Sequence, residues 1–83
     1  MRVLYFAWLR QKVGIAEEDV SPPAEVRDVA ALVRWLAARS AGHAAAFADQ
    51  RQVRVAVNQD FASPDQPVAA NDEVAFFPPV TGG

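Results

Sequence analysis

Glu73-Val74-Ala75-Phe76-Phe77-Pro78-Pro79-Val80-Thr81-Gly82-Gly83 is the stretch on which the reading of this chain turns. Its first part has the apolar character of a strand, with Val74 and Phe76 pointing one way and Ala75 and Phe77 the other. A strand with one face in water alternates apolar with polar residues, and this one does not. It is therefore a central strand, or one of its faces is reserved for a partner. Pro78 and Pro79 lack the amide hydrogens that a ladder needs, so sheet pairing is expected to stop by Phe77. The prolines keep the tail extended. Two glycines then form the slimmest peptide end available, one that can thread into a site where any side chain would clash. The chemistry on offer there is the α-carboxylate of Gly83.

The opposite end of the chain repeats the pattern. Residues 2–8 read as a first strand that is apolar on both faces, with Val3, Tyr5 and Ala7 on one and Leu4, Phe6 and Trp8 on the other. Two such strands are expected to be the central pair of a sheet, and parallel, because a helical crossover joins them. Trp8 to Val13 suggests a short helical turn ending at Gly14. Glu17 to Ser21 reads as a second strand, halted by Pro22-Pro23 and returning against the first. Asp28 is an N-cap residue, and Val29, Leu32, Val33 and Leu36 then recur at helical spacing along one stripe. Arg27, Arg34 and Arg39 fall elsewhere and are expected to face water. Gly42 is expected to stop this helix. His43 to Gln50 suggests a second short helix anchored by Phe47, with His43 exposed at its end. Val53, Val55 and Val57 alternate with Arg54, Ala56 and Asn58, the pattern of a half-buried strand. Asn58-Gln59-Asp60 is a turn into a short return strand opened by Phe61. Ala70-Asn71-Asp72 is a second turn, where Asn71 is expected to take the left-handed conformation.

A single amphipathic helix with one apolar stripe covers one face of one sheet. The element order therefore predicts an α+β chain with the β-grasp architecture of ubiquitin: a mixed sheet on one main helix over residues 1–77, followed by a diglycine tail over 78–83.

Composition narrows the function classes. The chain has 83 residues, no cysteine, one histidine and a formal net charge of −2. The basic residues are scattered, so nucleic acid is not an expected partner. No apolar run approaches the roughly 20 residues of a membrane span, and a cytoplasmic location is expected. Without cysteine there is no disulfide, no thiolate metal site and no cysteine nucleophile. No metal site, bound cofactor, phosphate loop or acid–base constellation is expected.

The sequence resembles a known family, the small subunits of molybdopterin synthase, which are ubiquitin-like sulfur carriers of molybdenum cofactor biosynthesis. The resemblance rests on Val3-Leu4-Tyr5-Phe6-Ala7-Trp8-Leu9-Arg10, on Val55-Ala56-Val57-Asn58 with its turn, and above all on Asp72 through Gly83. The family often has Asp-Gly-Asp before the last strand, where this chain has Ala70-Asn71-Asp72. The resemblance implies that an E1-like activating enzyme uses ATP to adenylate the Gly83 carboxylate. Sulfur then displaces AMP to leave a C-terminal thiocarboxylate, and Gly82 keeps the tail thin enough to enter both active sites. The synthase large subunit would hold a cyclic pyranopterin phosphate and the catalytic groups, so this chain would be the non-catalytic subunit. Phe6, Phe61 and Phe77 would form a docking patch on the sheet face away from the helix, continued by Pro78, Pro79, Val80 and Thr81. Two other readings remain open: a related carrier for thiazole (thiamin) synthesis, and a ubiquitin-like modifier or plain adaptor.

Overall fold

The computed structural model describes residues 1–79; the expectations for Val80, Thr81, Gly82 and Gly83 lie outside the described residues. The elements run in the order β1 (Arg2–Tyr5), α1 (Ala7–Val13), β2 (Glu17–Asp19), α2 (Val29–Ala37), α3 (Ala41–Ala46), a 3-10 turn (Gln50–Gln52), β3 (Arg54–Val57), β4 (Asp60–Phe61) and β5 (Glu73–Phe77). The strands form one five-stranded sheet in the order β2-β1-β5-β3-β4. The first and last strands are its central, parallel pair, with Tyr5 opposite Phe76. The other neighbours are antiparallel. This is the β-grasp arrangement.

Helix α2 forms where the periodicity places it. The Asp28 carboxylate accepts the Ala31 amide at 2.8 Å, satisfying one of the unpaired N–H groups of the first turn. Val29, Leu32, Val33 and Leu36 are all buried. They close over Val3, Tyr5, Val57, Val74 and Phe76, which the strands present to the same side. Phe76 lies nearly parallel to the Tyr5 ring at 6.2 Å and meets Phe47 edge-on at 4.9 Å. Burying a side chain of this size contributes about 2–3 kcal/mol through apolar area alone.

Several local expectations are corrected. Strand β1 ends at Tyr5, because Phe6 caps α1 and Ala7 turns the chain at φ 54°. Trp8 therefore lies in α1 and not on the open sheet face. Gly42 does not stop α2, which ends at Ala37. It lies inside α3, where a Cβ would overlap the Lys12 carbonyl oxygen, so it permits the close approach of α3 to α1. Asn71 does not have a positive φ; among the described residues those that do are Ala7, Asn58 and Gln59, beside Gly14. The 69–72 turn closes instead through Asp72, whose amide bonds the Ala69 carbonyl at 3.0 Å and whose carboxylate accepts the Ala69 amide at 2.7 Å. Asn58 and Gln59, at φ 51° and 72°, make the tight β3–β4 turn that matches strand twist.

Candidate functional site

Alternation along the strands divides the sheet into two faces. On the open face, the Cα register lines up Phe61, Ala56, Ala75, Leu4 and Glu17 across the strands. The adjoining row holds Arg54 opposite Phe77. Phe6 continues β1 beside Phe77, and its amide donates to the Phe76 carbonyl at 3.1 Å. Phe61 and Phe77 are in ring contact, with centroids 5.9 Å apart. Phe61 and Phe77, two of the residues expected from sequence to dock, therefore share one face. Phe6 joins them through strand register. Leu4, Ala56, Ala75 and Phe77 are half-buried, whereas Phe61 is 84% exposed and Phe6 49%. A solvated ring at 84% exposure contributes little to the stability of its own domain. Aromatic side chains are enriched among the anchors of protein interfaces.

Position of this face relative to the chain end is set by β5. Phe77 is the last strand residue, and Pro78 and Pro79 come after it, outside the ladder. The chain thus leaves the sheet from the row that carries Phe77 and Phe6. The start of β5 is fixed firmly. Asn58 donates to Asp72 at 3.0 Å and accepts the Glu73 amide at 3.0 Å, and its own amide reaches the Glu73 carbonyl at 2.7 Å. These bonds anchor the first residues of the strand independently of the tail.

The structure also holds a polar cluster that the sequence reading missed. His43, expected at an exposed helix end, is buried at 7% exposure. Its Nε2 lies 2.7 Å from Glu18 Oε2, and its Nδ1 lies 2.7 Å from Ser40 Oγ. The Tyr5 hydroxyl donates to the same Glu18 oxygen at 2.7 Å, and Arg39 approaches the other at 3.7 Å. Burial works against ionisation of Glu18, but the hydrogen bonds from His43 and Tyr5, helped by the charges of His43 and Arg39, outweigh it and hold the carboxyl below its ordinary range. Burial, and after it the bond to Glu18, pushes the Tyr5 hydroxyl far up. A serine, a histidine and a glutamate in a line invite a nucleophilic reading, yet Ser40 is committed as the cap of α3. Its oxygen accepts the His43 amide at 3.1 Å. Every buried side-chain polar atom among the described residues has a partner. The cluster ties α3 to β2 and β1. One signal pointed to it: Glu18 lies in a strand whose neighbour, Val20, turns inward.

Among the described residues no helix is long and apolar enough to cross a membrane, and no group of His, Asp and Glu is arranged to hold a metal ion.

The model of the ThiS family matches residues 3–83. The chain belongs to the ThiS family. This ThiS-family chain is 45% identical over its whole length to the molybdopterin synthase sulfur carrier subunit of Escherichia coli (strain K12), of which it covers 99%. In structure it is similar to a Pyrococcus furiosus protein provisionally described as molybdopterin converting factor, subunit 1. The TM-score there is 0.78 at 33% identity, with 95% of each chain covered. It is also similar to the small archaeal modifier protein 1 of Haloferax volcanii, with a TM-score of 0.74 at 26% identity, over 96% of this chain and 97% of the other.

Proposed function

We propose that this ThiS-family chain is the sulfur carrier subunit of a molybdopterin synthase and that its reactive centre is the carboxylate of Gly83. The observation that carries this reading is the 45% identity over the full length of the Escherichia coli carrier subunit. The family match also runs through Gly83, so it includes the tail.

A carboxylate resists substitution because its leaving group would be oxide. In the proposed cycle an adenylating enzyme joins the Gly83 carboxylate to the α-phosphorus of ATP and releases pyrophosphate. Sulfide-level sulfur from a donor attacks the acyl-adenylate, forming a C–S bond as the C–O bond to AMP breaks, and loses its proton. The resulting thiocarboxylate enters the large subunit and donates sulfur to the pyranopterin, towards the dithiolene. Acid, base and substrate-binding groups reside on the large subunit in this scheme. The part of the present chain is to present the tail and dock its open face. A cytoplasmic location, where ATP is available, accords with this cycle.

Intact-mass measurement tests the reading. After incubation with the activating enzyme, ATP and a sulfur source, the chain is expected to gain about 16 Da, the exchange of one oxygen for sulfur. Deletion of Gly83 is expected to leave the fold intact and to abolish both the mass gain and molybdopterin formation. A Gly83 deletion that still supports synthesis overturns the proposal. The likeness to the archaeal modifier supports a second reading, conjugation of Gly83 to lysines, which would appear as higher-mass adducts in place of the thiocarboxylate.

A further inference from the structure

Three large hydrophobic residues stand out from the described surface: Phe61 at 84% exposure, Phe6 at 49% and Ile15 at 43%. Phe6 and Phe61 belong to the docking face already described. Ile15 precedes β2 and has no role in the core or in the polar cluster.

The β1–β2 pairing bounds the place of Ile15. Strands β1 and β2 pair Arg2 with Asp19, Val3 with Glu18 and Leu4 with Glu17. The pairing continues past the named strands, because the Tyr5 amide donates to the Ala16 carbonyl at 2.8 Å. Ala16 is a bend outside β2, so Ile15 stands past the ladder, one residue beyond that bond, at the end of the sheet where Phe6, still extended at φ −119° and ψ 153°, leaves β1. Ile15 is therefore an exposed apolar residue at the end of the β1–β2 pair that adjoins Phe6.

We infer that Ile15 is a further anchor of the docking face, and that the synthase large subunit, on receiving the tail, covers it with an apolar surface continuous with the one over Phe6 and Phe77. The inference rests on the sulfur-carrier reading above. Its occupant is identified by the reach of the chain. From Phe77 to Gly83 an extended peptide spans roughly 20 Å at most. A site that holds Gly83 must lie within that distance of Phe77, so the wall around its entrance meets the end of the sheet where Phe77 and Phe6 lie. A tether this short does not let the receiving protein stand clear of the body.

Absence of cysteine from the chain permits a clean test. Ile15→Cys, labelled with an environment-sensitive fluorophore, is titrated with the synthase large subunit. In parallel, calorimetry measures the affinity of the wild type and of Ile15→Glu and Ile15→Ala. Ile15 is exposed, so all three variants are expected to melt as the wild type does. The label is expected to shift to the blue on complex formation. Ile15→Glu is expected to weaken binding about tenfold or more and Ile15→Ala by a smaller factor, as for a residue within a desolvated contact. Wild-type affinity in both variants, with an unshifted label, overturns the inference and leaves the sulfur-carrier reading standing. A wild-type chain that fails to bind the large subunit overturns that reading, and this inference with it. A label that shifts with the concentration of the carrier alone assigns the face to a second copy of this chain and also overturns the proposal.

Discussion

Phe76 and Phe77 are adjacent in the chain and opposite in fate. Phe76 is fully buried against Tyr5 and Phe47 beneath the helices. Phe77 is half-buried on the other face, touching Phe61, which is itself almost entirely in water. The same contrast separates Tyr5 from Phe6 on the neighbouring strand, at 1% and 49% exposure. The sheet thus spends one apolar face on its own stability and leaves Phe6 and Phe61 of the second in water. Hydrophobicity alone does not distinguish the two; only the parity of the residue along the strand does.

The most forceful way to break this comparison is to truncate each member. Phe76→Ala is expected to cost about 3–5 kcal/mol of folding stability, because it opens a cavity beneath α2 and removes the aromatic contacts. That is a large share of the roughly 5–15 kcal/mol available to a domain. Urea unfolding measures it. Phe77→Ala is expected to cost only about 1 kcal/mol of stability, the worth of its cross-strand ring contact. It should instead weaken large-subunit binding by about 2 kcal/mol, roughly thirtyfold. Calorimetry with unchanged affinity and a major loss of stability would reverse the assignment of the two faces.

A smaller effect tests how the helix-side face is tied down at its β2 edge. The folded-state Glu18 carboxyl titrates below its ordinary value of 4.5. Its interactions therefore stabilise the fold fully above that value, and the contribution is lost as pH falls from there through the lowered folded-state value. Glu18→Gln is expected to be less stable than the wild type at neutral pH. It should also lose less stability between neutral pH and the acid side of 4.5. Parallel stability–pH curves for the two proteins would show that the cluster of Tyr5, Glu18 and His43 contributes nothing through ionisation.

Much of the fold is legible in the sequence because its signals are local and repeated. The stripe of Val29, Leu32, Val33 and Leu36 needs only helical spacing and an Asp28 cap, and all of it is buried. Phe61 and Phe77 are expected on one face, and their rings meet. The expectations that fail share a different cause. Gly42 has the look of a helix stop, but its missing Cβ serves the approach of α1, a contact between segments distant in the chain. Asn71 suits a left-handed turn, but the Asp72 side chain closes the turn without one. His43 carries no sequence partner, since Glu18 lies 25 positions away and only the sheet brings it within 2.7 Å.

By itself the sequence determined the double-faced apolar strands at both ends, the single helical stripe and the proline-bounded diglycine end. Each is written in neighbouring residues, through the two-residue period of strands, the 3.6-residue period of helices and the fixed φ of proline. Tertiary structure alone decided which apolar face is sealed and that Glu18 gathers Tyr5, His43 and Arg39 around one carboxylate. Those facts depend on strand register and on the packing of α3 over the sheet. Such long-range terms come from the burial of the whole core, and no short window of residues carries them.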